Sequence, residues 1–129
     1  MVCLETTFLV DILRDKRGAG EMQKEFEKTE RAIYVAAPSV MELWRGAILK
    51  SSEKEKDKIN NFMSAIVILP LDEKSAKEAG EIEAELLKKG EPVGTEDVMI
   101  AAIAKSNGEK LVTRDQHYAK IPGLKLLKY

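Results

Sequence analysis

Four carboxylates stand out by position. Glu5 follows the apolar run Val2–Leu4 directly, in "VCLETT"; Glu42 lies in "APSVMELW", Asp97 in "TEDVMIAA" and Asp115 in "LVTRD". Three have ordinary structural explanations when taken singly. Ser39 and Glu42 have capping-box spacing, Asp97 would favour the positive end of a helix, and Asp115 could cap a short helix carrying His117 and Tyr118. Glu5 is harder to explain, because a carboxylate at the end of a buried strand gains little from packing and is costly to desolvate. Crowded carboxylates raise one another's pKa unless a cation joins them. Hard oxygen donors favour Mg²⁺, with Mn²⁺ possible, over zinc. Such an ion acidifies water and neutralises charge on a scissile phosphate, which suits phosphodiester hydrolysis.

The surrounding sequence must bring these acids together. Val2–Leu4 reads as a buried strand, and Ile33–Ala36, Ile66–Leu69, Leu111–Thr113 and Leu124–Leu127 as further short apolar strands. Between them run helical patterns. Phe8, Leu9, Ile12 and Leu13 form the first, with Thr6 or Thr7 as cap and a break at Gly18 and Gly20. Met22 and Phe26 lie one turn apart in the second. Val40, Leu43, Trp44, Ala47 and Ile48 form one face after Pro38-Ser39. "KSSEKEKDKI" is a charge run expected to be a solvated helix face or linker, followed by Ile59, Phe62 and Met63. Asp72 is expected to cap a helix from Glu73 to Lys89, stopped at Gly90. After the loop "GEPVGTED", Thr95 is expected to cap a helix apolar almost all round, Val98 to Ala104, ended by Asn107-Gly108.

Strands alternating with helices imply a parallel sheet covered on both faces, with strand C-termini on one edge, where ligands bind. That topology brings Glu5, Glu42 and Asp115 to one edge. It does not by itself place Asp97, whose helix has no strand directly before it.

Composition narrows the alternatives. The 129 residues fit one domain, 1–129, with 44% hydrophobic residues for a core. The net charge of −1 gives no overall attraction to nucleic acid or membrane. The lone cysteine, Cys3, excludes an internal disulfide and a cysteine zinc cluster, and reads as a core residue. No apolar run approaches the roughly 20 residues of a membrane span, and no secretory leader pattern is seen, so a cytoplasmic protein is expected. "GAG" at Gly18 lacks the Gly-Lys-Ser/Thr of a phosphate loop. The single histidine, His117, reads as a turn or surface residue, and Trp44 and Met41 as core or interface. Arg45 and Arg114 adjoin the acids and could touch phosphate or offset carboxylate charge. Arg14, Lys16 and Arg17 read as solvated surface that could border an RNA track.

The segments "VCLETTFLVDIL", "APSVMELWRGA" and "GTEDVMIAAIAKSNGEKLVTRDQHYAKIPGLKL" together resemble PIN-domain ribonucleases, particularly VapC-type toxins of toxin–antitoxin pairs. The resemblance implies a three-layer α/β/α sandwich around a parallel sheet of four to five strands. It brings Asp97 into one site with Glu5, Glu42 and Asp115, with Thr7 and Thr113 as supporting hydroxyls. It further implies a Mg²⁺-dependent endoribonuclease acting on RNA, commonly a homodimer, inhibited by a cognate antitoxin. The departure from the family's pattern is Glu5, where aspartate is usual. The extra methylene adds about 1.5 Å of reach, which makes catalytic competence the point to test. The alternative is a degenerate PIN fold that binds RNA or antitoxin without strong nuclease activity. A phosphate-accepting receiver domain would need Asp72 as acceptor and more than one acid after the first strand.

Overall fold

The computed structural model describes residues 1–30 and 32–129. Five strands, β1 (Val2–Leu4), β2 (Ile33–Ala36), β3 (Val67–Leu69), β4 (Lys110–Thr113) and β5 (Leu126–Lys128), form one sheet in the order β3-β2-β1-β4-β5. All pairings are parallel; Val2 lies opposite both Ile33 and Lys110, and Leu4 opposite Val112. Six helices connect them: α1 (Thr6–Leu13), α2 (Ala19–Thr29), α3 (Ala37–Leu49), α4 (Glu53–Met63), α5 (Glu73–Lys88) and α6 (Thr95–Ser106), with a 3₁₀ turn at Gln116–Lys120.

Alternation along the strands divides the core into two layers. Val2, Leu4, Val35 and Val112 pack with Phe8, Leu9, Phe26, Leu43, Ala47 and Ile59. Cys3, Ala36 and Leu111 face the other way, onto Ala79, Ile82 and Leu86 of α5 and the buried run Ile100–Ala104 of α6. This is the α/β/α sandwich expected. Helix α6 is buried nearly all round, as its composition implies.

Several local expectations hold. Asp72 caps α5 reciprocally with Ser75, each side chain bonding the other's backbone N–H at 2.9 Å. Gly90 follows α5 at φ +69°, a left-handed conformation that glycine adopts without cost. The charge run becomes α4, capped by Ser52 and anchored by buried Ile59.

Others are corrected. Neither Thr6 nor Thr7 caps α1: Glu5 is the N-cap, and both hydroxyls are engaged across the site instead. Gly94, not Thr95, caps α6, and the Thr95 hydroxyl goes to Glu83. Ser39 and Glu42 form no capping box, because α3 begins two residues before Ser39 and is entered through Pro38. On α3 the row Val40–Leu43–Ala47 faces the core, while Met41, Trp44 and Ile48, one row round, are exposed. The last strand starts at Leu126, two residues later than expected, because Pro122-Gly123 first turns the chain, with Gly123 at φ +74°.

Candidate active site

The strand order reverses at β1, where β2 and β4 flank it, and the C-terminal ends of β1 and β4 border the position at which open α/β sheets take ligands, here called the β1/β4 crevice. Glu5 is the first residue past β1. Its backbone N–H donates to the Val112 carbonyl at 3.0 Å, and only 2% of the residue is exposed. One carboxylate oxygen, Oε1, accepts the hydroxyls of Thr7 on α1 and Thr113 at the end of β4. Thr113 Oγ1 in turn accepts the Asp115 N–H at 3.0 Å. Asp115 caps the 3₁₀ turn as expected, taking the His117 N–H at 2.9 Å, and its Oδ1 lies 2.8 Å from His117 Nδ1.

Glu42 enters from α3 and accepts the Thr6 hydroxyl at 2.9 Å; Thr6 also lies 3.1 Å from the buried Ser39 hydroxyl. Asp97 enters from the first turn of α6 and accepts the hydroxyl of fully buried Tyr118 at 3.1 Å. Four acids from four parts of the chain are thus each held by a neutral donor. Among the described residues none of them is ion-paired to a lysine or arginine. The two arginines nearby in sequence are engaged elsewhere: Arg45 pairs with Glu96 at 3.0 Å and Arg114 with Asp11 at 2.9 Å.

The acids feel one another. Burial, then the charge of Asp115, pushes Glu5 above the usual carboxylate range despite its two threonine donors. Burial raises Glu42 as well, with Glu96, Asp97 and Glu5 adding to it. Burial and then the charges of Asp115 and Glu96 raise Asp97 against the opposing bond from Tyr118. Each of the three is raised in part by the charge of another acid, a mutual repulsion that a cation would relieve.

Among the described residues, no three histidine, cysteine or acidic side chains are gathered closely enough to cage a metal by themselves. An all-protein calcium or zinc site is therefore not what this arrangement offers. The all-oxygen donor set fits Mg²⁺, which takes one or two carboxylates and keeps several waters. Glu5 and Asp97 are the residues that could hold it, with Glu42 and Asp115 completing the negative wall. A groove of about 790 Å³ opens elsewhere, lined by Ile12, Leu13, Phe62, Ile66 and Val67 among others. None of Glu5, Glu42, Asp97 and Asp115 lines it.

Three participants were not found from sequence: Thr6 as donor to Glu42, Tyr118 as donor to Asp97, and Asp11. A signal existed for Asp11, a lone charge within the apolar stretch "FLVDIL". His117 and Cys3 behave as expected, one exposed and one buried; burial pushes the Cys3 thiol up to about 12, which leaves it inert.

Fold and site define a parallel α/β/α protein with a carboxylate cluster at its switch point. The chain belongs to the PIN domain family, whose family model matches residues 2–124. It is 30% identical over 125 residues to a protein of Salmonella typhimurium named tRNA(fMet)-specific endonuclease VapC, covering 95% of this chain and 93% of that one. It is 34% identical over 114 residues to ribonuclease VapC2 of Haemophilus influenzae, covering 87% and 84%. Its structure resembles that of VapBC2 from Rickettsia felis bound to a DNA fragment from their promoter, with a TM-score of 0.89 and 25% identity over 100% of this chain and 99% of that one.

Proposed function

We propose that the protein is a metal-dependent endoribonuclease, the toxin of a toxin–antitoxin pair, acting in the cytoplasm. The observation that carries this reading is the bonding of Glu5 and Asp115 through Thr113 at the ends of β1 and β4, with Glu42 and Asp97 entering from α3 and α6 and no lysine or arginine paired to any of the four among the described residues. A bound Mg²⁺, with Mn²⁺ as the alternative, supplies Lewis acidity toward water and phosphate. Glu5 and Asp97 would hold the ion, directly or through water. Thr7 and Thr113 fix the Glu5 carboxylate through Oε1. Tyr118 likewise fixes Asp97. Thr6 aims Glu42 from across the crevice. The names of the curated relatives support RNA as substrate and make initiator tRNA the first to try. The VapBC neighbours support a cognate antitoxin as partner. The exposed row Met41, Trp44 and Ile48 on α3 supports a homodimer.

A second reading, a degenerate PIN fold that binds RNA or antitoxin without strong cleavage, is favoured by two observations: the longer Glu5 side chain is already engaged by two hydroxyls, and among the described residues no three acids close on a common point. Cleavage of initiator tRNA and of an unrelated structured RNA, with Mg²⁺ or with chelator, separates the two. The nuclease reading expects cleavage that needs the metal, falls at least about 100-fold in Asp97→Asn, and changes less than about tenfold in Glu5→Asp. An inert wild type that Glu5→Asp awakens supports the second reading.

A further inference from the structure

Asp11 has no place in the chemistry above, yet it is the most heavily bonded carboxylate described. It lies on α1, one turn beyond Thr7, and is 1% exposed. Its Oδ2 accepts from Arg114 Nε at 2.9 Å and from the Tyr129 hydroxyl; its Oδ1 accepts from Arg17 Nη1 at 3.1 Å and lies 3.5 Å from Arg114 Nη2. The Tyr129 ring packs edge-on against Phe8, with ring centroids 4.8 Å apart, and closes the network from the far side.

Arg114 sits between Thr113, which donates to Glu5, and Asp115, the fourth acid. Its own N–H donates to Thr7 Oγ1 at 3.3 Å, the hydroxyl that also serves Glu5. Its place in the chain, between two residues of the site, puts it beside the acid pocket, and its side chain is about one-third exposed. A guanidinium there would pair two carboxylate oxygens at once and compete directly with a metal ion. What it does instead is grip Asp11 through two nitrogens on the other side of α1's first turns.

We propose that Asp11 is a positioning residue that holds Arg114 out of the acid pocket, so that the pocket stays negative enough to take a divalent cation. This role rests on the metal-site reading above. It differs from a purely structural ion pair in one respect: the harm done by losing Asp11 comes from a liberated Arg114, and removing Arg114 as well undoes it.

The test is Mn²⁺ binding to the purified full chain, measured by calorimetry, with folding checked by circular dichroism. Asp11→Asn is expected to weaken Mn²⁺ binding by about 10- to 100-fold, the range for outer groups that support a metal site. The double variant D11N/R114Q is expected to return to within about threefold of wild type, and Arg114→Gln alone to bind at least as tightly as wild type. Unchanged binding in D11N, or a double variant as weak as D11N, overturns the inference while leaving the metal site standing. Wild type that binds no Mn²⁺ overturns both. Should D11N fail to fold, Arg114→Gln decides alone: binding as tight as wild type supports the role, and a loss beyond threefold overturns it.

Discussion

At Glu5 the chain puts a carboxylate where burial and a neighbouring charge both disfavour ionisation, then offsets part of that with two hydroxyl donors on one oxygen. A carboxyl raised in the folded state contributes stability that is complete below its unfolded value, 4.5 for Glu5, and lost as pH rises through the raised one. Glu42 and Asp97 act in the same direction. Asp11 acts oppositely: burial pushes it up, but Arg114, Tyr129 and Arg17 outweigh that and hold it low, so its contribution is lost only on acidification below the ordinary range. Glu5→Gln keeps an oxygen for both threonines and removes the disfavoured charge. Without metal it should raise Tm at pH 7 by a few degrees, ~1 kcal/mol being worth about 4 °C in a domain of this size. The gain should shrink toward zero by pH 4, where Glu5 is protonated in wild type. A lower Tm for Glu5→Gln at pH 7 would count against a strained, cation-seeking Glu5.

At the scale of elements, what the sequence revealed and what it hid have different physical origins. The buried strands and α6 were legible because a segment covered on both sides must be apolar nearly throughout. Asp72 was legible as a cap because its partner, Ser75, is local. The hydroxyls of Thr6 and Thr95 cap nothing locally because their partners lie elsewhere, 36 positions on at Glu42 and 12 back at Glu83, while Thr7 serves the Glu5 carboxylate together with Thr113, which is 108 positions from it. Single-sequence reasoning sees periodicity and near neighbours, not the side chain that folding brings alongside. The same limit hid Tyr118 and Asp11. Asp97 is the intermediate case: α6 follows α5 through a loop, so no strand-end rule places it, and family resemblance supplied what topology did not. On α3, Trp44 and Ile48 share helical spacing with the core row Val40, Leu43 and Ala47 but lie with Met41 on the exposed side; only the sheet's position tells which row it covers.

For the whole molecule, that exposed row has a consequence for assembly. Met41, Trp44, Ile48 and the 79%-exposed Leu49 place an apolar stripe on α3, the helix that also carries Glu42. A second copy covering it would put two acid pockets in one particle. Trp44→Glu should convert a dimer to monomer in light scattering coupled to size exclusion while leaving the circular dichroism of the fold intact. A wild type that is monomeric at high concentration would remove the homodimer from the account. The fold as a whole gives each acid a different origin, β1, α3, α6 and the segment after β4, so the pocket exists only when the sheet and both helical layers are assembled. That dependence is testable where the claim is sharpest. A crystal soaked in Mn²⁺ and examined at the manganese absorption edge should show an anomalous peak in the β1/β4 crevice. Oxygens of Glu5 and Asp97 should lie at coordination distance or one water away, and the peak should be absent from Asp97→Asn crystals. A manganese-soaked crystal with no peak there, or with one unaffected by Asp97→Asn, would contradict the assignment of these four acids to a metal-dependent active site.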